Sequence, residues 1–235
     1  MMKHHADGEV LGEFLVSARS LAEYRAMFHL SDDDLTGRRI LDCPGGAASF
    51  TAEASTLGAA VTAVDPIYAR STTELSVDAV TENDRAVAWA AANAHRYRWD
   101  WYGSPAGHAA IRRGAARRFA DDVRAEPHRY IAASLPELPF PDGSFDLTLS
   151  SHLLFSYADR LDADFHLSAL LELSRVTEGE ARLYPLLDYT GAPLDDLIDH
   201  LRTELHDKGI PTALRKTHYE FHHGADTMLV LQPAT

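Results

Sequence analysis

The stretch between Arg39 and Pro66 constrains the fold of this chain more than any other part of the sequence. A short apolar run is followed by a glycine-containing turn, a helix-forming run over 47–57 and a β-rich run over 60–64. Asp65 follows directly, 19 residues after Gly46. In a strand–turn–helix–strand unit, this spacing places a carboxylate beside the helix N-terminus, where it can accept both hydroxyls of a ribose. The sequence therefore predicts a nucleoside-binding α/β fold.

The turn itself discriminates between two classes of nucleoside cofactor. Dinucleotide-binding proteins use G-x-G-x-x-G against a pyrophosphate, whereas here Gly45 and Gly46 are adjacent and Pro44 precedes them. Asp42 ends the first strand just before the turn. A carboxylate repels a pyrophosphate but attracts an ammonium or sulfonium group. S-adenosylmethionine is therefore favoured, and an NAD-dependent oxidoreductase remains a minor alternative.

Two blocks of sequence resemble the class I S-adenosylmethionine-dependent methyltransferases of small molecules. In the first, Asp42 matches the acid of the family's first motif, Gly46 matches its middle glycine, and Pro44 and Ala48 stand at the outer glycine positions. The second is LPELPFPDGSFDLTLSSHLLF over 135–155, which is similar to the family's fourth strand and its flanking loops. The resemblance covers roughly residues 35–66 and 129–232.

The resemblance implies a fold, a cofactor and a set of binding residues. The fold would be a Rossmann-like, doubly wound, seven-stranded sheet, mostly parallel with one antiparallel strand, in a single domain over 1–235. The cofactor would be S-adenosylmethionine, with S-adenosylhomocysteine as the product. Asp42 would face the methionine ammonium, the turn amides its carboxylate, and Asp65 the ribose. The full set of cofactor-binding residues would be Asp42, Cys43, Pro44, Gly45, Gly46, Asp65, Pro66, Ser134, Leu135 and Ser151.

The reaction implied is in-line displacement of the methyl group by a small-molecule acceptor. A general base is needed only for an alcohol, phenol or ammonium acceptor, and His152, after the fourth strand, is the candidate. A histidine that hydrogen-bonds its own loop is the alternative interpretation of this residue. No metal site is expected, because His218, His222 and His223 lie in a hairpin without thiol or carboxylate partners.

Two segments lie outside the blocks of resemblance. Helical periodicity over 9–29 predicts an amphipathic helix, interpreted as a lid over 9–30. About 60 residues separate the second and third strands, and this mostly helical insertion over 67–128 holds all three tryptophans. We interpret it as a cap over the acceptor pocket, since loops at the cofactor edge of a sheet line its crevice. A docking or dimerisation face is the alternative.

The composition of the chain limits the classes of partner that it is expected to bind. The net charge of −13 argues against nucleic-acid binding. The nine arginines and four acids of residues 85–130 are compatible with an anionic acceptor or with a plain solvated face. No apolar run reaches the ~18 residues of a membrane helix, and the single cysteine fits a reducing cytoplasm. A homodimer is left open.

An alternative function stays open beside the enzyme. The departures at Pro44 and Ala48, and the absence of an acid from the 132–135 stretch where the family places an adenine-binding Asp, would suit a non-catalytic protein. Such a protein would bind S-adenosylmethionine, or regulate a partner, without transferring the methyl group.

Overall fold

The computed structural model of the protein describes residues 16–232. Within them, one seven-stranded sheet carries helices on both faces. The strands are β1 (Arg39–Asp42), β2 (Ala60–Val64), β3 (Tyr130–Ile131), β4 (Phe145–Ser151), β5 (Thr177–Tyr184), β6 (Thr212–Lys216) and β7 (Thr227–Leu231). The α-helices are α1 (Leu21–Phe28), α2 (Phe50–Thr56), α3 (Thr72–Ala92), α4 (Pro105–Ala125), α5 (Ala163–Val176) and α6 (Asp195–Asp207).

The strand order β3-β2-β1-β4-β5-β7-β6 confirms the predicted doubly wound sheet. Strands β1 to β5 pair in parallel, and β7 runs antiparallel to both of its neighbours. The chain leaves β1 towards β2 on one side and returns to β4 on the other. A crevice therefore opens between the carboxyl ends of β1 and β4, where ligands bind in open α/β sheets.

The core follows from the burial of the central strands on both faces. Ile40, Leu41 and Leu149 are fully buried, as expected of parallel strands covered by helices on each side. On one face α5 and α6 pack through their leucines, and on the other α1 and α2 pack through aromatic side chains such as Tyr24 and Phe50. This packing holds the carboxyl edge of the sheet as a rigid platform.

The first helix is shorter than the periodicity predicts. It begins at Leu21, because Ser20 and Glu23 form a capping box in which each side chain accepts the other residue's backbone N–H. Residues 16–20 are not helical, so a helix over that part of 9–29 is wrong. The remainder of the predicted lid helix, residues 9–15, lies outside the described residues.

The insertion forms two long helices that pack against each other. Helix α4 buries Ala115, Ala116 and Phe119 against α3 and the β2–β3 edge. Helix α3 ends at Ala92. Short 3₁₀ turns and aromatic packing against the β6–β7 connection follow it.

In the part of the chain that the structure describes, no helix combines the length and apolar character that a membrane span requires.

Candidate active site

A cavity of about 360 Å³ lies at the carboxyl edge of the sheet, in the crevice between β1 and β4. That volume is within the range of small-molecule and cofactor sites. Its walls are Val16, Ser17, Arg19, Tyr24, Cys43, Pro44, Gly45, Gly46, Val64, Asp65, Pro66, Ile67, Ala133, Ser134, Leu135, Ser151, His152, Leu153, Tyr157, Leu161 and Phe165. Every predicted site residue is therefore in the wall except Asp42.

The turn after β1 forms the floor of the cavity. A Cβ on Gly45 would lie 2.5 Å from Tyr68 Oη and 2.9 Å from Ala63 Cβ, so only glycine fits against β2 there. Gly46 has φ +52°, a left-handed conformation that favours glycine. The N–H groups of Gly45, Gly46 and Ala48 donate to Val64 O, Asp65 Oδ2 and Gly45 O. These three N–H groups are therefore already engaged inside the protein.

Asp65 stands at the tip of β2 with room for two more hydrogen bonds. Its Oδ2 accepts from Gly46 N and its Oδ1 from Ile67 N, both at 3.1 Å. Burial raises the pKa of Asp65, and these two N–H donors oppose that rise. Since each carboxylate oxygen can accept two hydrogen bonds, one acceptor site remains on each, the arrangement that a ribose diol requires.

Asp42 does not reach the cavity, because Tyr24 from α1 covers it. The Tyr24 hydroxyl lies 2.9 and 3.1 Å from the two carboxylate oxygens, and Asp42 is fully buried. Burial raises the pKa of Asp42 to about 8, although the Tyr24 hydrogen bond and the charge of Arg19 oppose that rise. Tyr24 lines the cavity between Asp42 and its interior, and the contact of Asp42 with the methionine ammonium, directly or through water, stays a prediction.

The far wall is the segment between β3 and β4. Ser134 forms an isolated bridge with Glu137, and Leu135 is buried at the cavity's edge. Pro66 and Ile67 face this wall from the other side of Asp65. This part of the wall is mostly apolar, and it contains no acidic side chain.

Ser151 and His152 bring the end of β4 into the site. The Ser151 hydroxyl lies 2.8 Å from His152 Nδ1, and His152 N donates to Tyr184 O. His152 has φ +55°, which is uncommon for a residue with a Cβ and holds the ring at the cavity. Burial first, and then the charges of Arg19 and Arg112, lower the pKa of His152 well below its usual value, so its ring is neutral at pH 7.

The N-terminal segment (residues 16–20) belongs to the predicted lid and places Val16, Ser17 and Arg19 in the cavity wall, although it is not helical. Ser17 O would lie 3.4 Å from a Cβ on Gly46, so this segment lies directly on the turn. Arg19 and Asp65 are the charged residues among the cavity's walls. The capping-box signature of Ser20 and Glu23 could have revealed that the residues before Ser20 are not helical.

Apolar side chains from the β4–α5 region complete the cavity. Leu153, Tyr157, Leu161 and Phe165 face it on the side away from Asp65, beside His152. The insertion over 67–128 contributes only Ile67 to the walls. The predicted cap over the acceptor pocket stays a prediction. Among the described residues, no group of three or more His, Cys, Asp or Glu side chains is placed to hold a metal ion.

Comparison with known proteins agrees with this geometry. Residues 93–184 match the model of a family described as a methyltransferase domain, a stretch that includes Ser134, Ser151 and His152. An uncharacterized protein of Methanocaldococcus jannaschii is 26% identical over 231 residues, which cover 94% of this chain and 97% of that protein.

A likeness in fold extends over nearly the whole chain. The crystal structure of magnesium protoporphyrin IX methyltransferase from Synechocystis PCC 6803, with bound S-adenosylmethionine, superposes with a TM-score of 0.50 at 14% identity. The match covers 91% of this chain and 77% of that one, and it shows a shared fold. Residues 93–184 thus match a methyltransferase domain, and the chain shares the fold of a solved methyltransferase, with a cavity at the topological switch point of its sheet.

Proposed function

We propose that the protein binds S-adenosylmethionine in the cavity and transfers its methyl group to a small-molecule acceptor. The observation that carries the proposal is the meeting, in one cavity, of the β1 turn, the Asp65 carboxylate and the Ser134–Leu135 wall. Asp65 keeps two acceptor positions for a diol, and apolar side chains such as Ile67 and Leu135 line the cavity beside it, where a purine can pack. The residues present thus fit the nucleoside half of the cofactor.

The chain's own contribution to catalysis would be positioning in a dry site. When bound, the cofactor supplies an already activated methyl group on a sulfonium. The turn and Asp65 fix the nucleoside end, while Leu153, Leu161 and Phe165 exclude water on the opposite side. Holding two reactants in line replaces a bimolecular encounter and can supply about 7–11 kcal/mol of the barrier. The small volume and mostly apolar lining of the cavity suit a small acceptor, and this supports a small molecule over a macromolecule.

His152 is the residue we assign to proton transfer. Its ring is neutral at pH 7 because burial and two nearby guanidinium groups lower its pKa, so it can accept a proton from the acceptor. In the tautomer in which Nδ1–H donates to Ser151 Oγ, Nε2 is the acceptor that takes this role. His152→Ala should then abolish turnover while cofactor affinity is retained. Full turnover in this variant would remove His152 from the chemistry.

Two measurements test the proposal. Calorimetric titration with S-adenosylmethionine and S-adenosylhomocysteine, with NAD as the negative control, should give micromolar binding of the first two only. Formation of S-adenosylhomocysteine is then followed across a panel of phenols, amines and carboxylic acids. Binding without turnover for any acceptor would favour the non-catalytic alternative, and absence of binding would refute both functions.

A further inference from the structure

Arg19 is a buried cation in the cavity wall that the functions assigned above do not use. Its side chain is 9% exposed, and its Nε has no hydrogen-bond partner among the described residues. Another guanidinium nitrogen, Nη1, contacts Ser17 Oγ, itself a residue of the cavity wall. A buried charge is normally paired with an opposite charge or neutralised, so this group calls for an explanation.

The neighbouring acids are engaged with other partners. Glu23 Oε1 lies 2.8 Å from Arg112 Nε and 2.6 Å from Tyr102 Oη, and its Oε2 accepts from Ser20. Asp42 accepts from Tyr24 on both oxygens. Two buried guanidinium groups, Arg19 and Arg112, thus share the charge of Glu23. Burial and the repulsion of Arg112 lower the pKa of Arg19, as expected for a cation that lacks its own anion.

A ligand carboxylate bound above the turn needs hydrogen-bond donors. The Gly45, Gly46 and Ala48 N–H groups of the turn donate within the protein, so they are not available to it. Arg19 lies on the segment that crosses over Gly46. A guanidinium offers several donors in a planar fork that matches a carboxylate.

We propose that Arg19 is the carboxylate anchor of this cavity, with Ser17 Oγ orienting its guanidinium group. The inference rests on the proposed function and deepens it. The carboxylate could belong to the methionine part of the cofactor or to an acceptor bound beside it. Both are the same chemistry at the same side chain, and the experiment below separates them.

The backbone around Arg19 is held on two sides, which keeps the anchor preorganised. Arg19 O accepts from Ser49 N at 2.8 Å, next to the start of α2. Ala18 O accepts from Arg112 Nη1 of the insertion at 3.1 Å. A ligand then does not have to order this segment, a cost that would otherwise reduce affinity.

The test compares three probes by calorimetry on the full chain. S-adenosylhomocysteine carries the amino-acid carboxylate, whereas 5′-methylthioadenosine has the same nucleoside and thioether without it. Benzoate, added to protein saturated with S-adenosylhomocysteine, represents an acceptor carboxylate. Each is measured on the wild type, on Arg19→Gln and Arg19→Lys, and on Arg117→Gln, which removes an exposed arginine as a matched control.

If the carboxylate is the cofactor's own, Arg19→Gln should weaken S-adenosylhomocysteine binding by about tenfold to a hundredfold and leave methylthioadenosine unchanged. If it is the acceptor's, S-adenosylhomocysteine is unaffected, and benzoate binds the wild type but not this variant. If Arg19→Gln weakens neither S-adenosylhomocysteine binding nor benzoate binding, the inference is overturned.

Methylthioadenosine reports folding of the nucleoside half in every variant. If Arg19→Gln fails to fold, Arg19→Lys replaces it, because lysine keeps the charge and lacks the planar fork. The ratio of its affinity for S-adenosylhomocysteine to its affinity for methylthioadenosine then gives the answer. A wild type that binds neither nucleoside probe refutes the proposed function, and the carboxylate anchor falls with it. A wild type that binds both, with affinities that Arg19 variants do not alter, refutes the anchor alone.

Discussion

Asp42 should make the stability of the protein fall as the pH rises through neutrality. Its pKa is about 8 in the folded protein and has an ordinary value of 3.8 in the unfolded chain. Between these values the folded state holds a proton that the unfolded state lacks. Unfolding therefore releases a proton, and raising the pH favours unfolding. The slope is about 1.4 kcal/mol per pH unit, or about 2.7 kcal/mol lost between pH 5 and pH 7.

Asp42→Asn removes this titration and leaves a neutral group of similar shape. We expect the free energy of unfolding of the wild type, measured by urea denaturation, to fall by about that amount relative to Asp42→Asn over this interval. Other titrating groups are common to both proteins and cancel in the difference. A difference that stays constant from pH 5 to pH 7 would refute the reasoning.

The Tyr24→Phe variant tests the titration of Asp42 by removing the hydroxyl that donates to it. The Tyr24 hydroxyl donates to Asp42, so its removal should cost about 1.5–3 kcal/mol where Asp42 is ionised, at pH 9, and less at pH 6. Tyr68→Phe is the matched control. Its hydroxyl donates to the neutral Gly46 carbonyl at 2.8 Å, so its cost should not depend on pH. Parallel pH profiles for the two variants would contradict an ionisable Asp42.

Three further changes probe the site and its support. Asp65→Ala should weaken S-adenosylhomocysteine binding at least about tenfold in calorimetry, because two ribose hydroxyls lose their acceptor; unchanged affinity would remove Asp65 from the site. Gly45→Ala should cost about 1–3 kcal/mol in urea unfolding, since its Cβ would clash with Ala63 and Tyr68. Arg112→Met should cost about 3–5 kcal/mol by the same assay, because it leaves the buried Glu23 carboxylate unpaired; a stable variant would show that Glu23 takes up a proton instead.

Much of the fold could be predicted because its signals are local. The turn around Gly45 and Gly46, the β2 strand and Asp65 lie within one short stretch, where spacing alone fixes which groups meet. Strand β2 has the predicted bounds, Ala60–Val64. Such elements depend on alternation and turn chemistry, which a single sequence displays.

The geometry around Asp42 could not be predicted in the same way. Sequence places Asp42 at the end of β1 but does not tell which side chain comes from elsewhere to cover it. Tyr24 lies 18 positions away, and its ring stacks on Phe50 with centroids 4.4 Å apart. That packing directs the hydroxyl at the carboxylate, and it depends on how α1 and α2 meet.

For Arg19, by contrast, the sequence holds a local signal that is more specific than its apolar periodicity. Apolar periodicity continues through residues 9–29, which predicts one helix over that range. The capping box at Ser20 and Glu23 is a more specific signal, because it satisfies two orphan donors that only a helix start possesses. The capping box predicts that Arg19 lies before the start of the helix.

The insertion gains a different meaning from its contacts than from its position. Ile67 alone of its residues lies in the cavity wall, yet Arg112 and Tyr102 reach Glu23, and Arg112 also holds Ala18 O. Both contacts fix the N-terminal segment from the side opposite Ser49. Since that segment carries Arg19 and lies on Gly46, the insertion can influence ligand affinity without touching the ligand. The long crossover between β2 and β3 thus contributes to the site as a support for its upper wall.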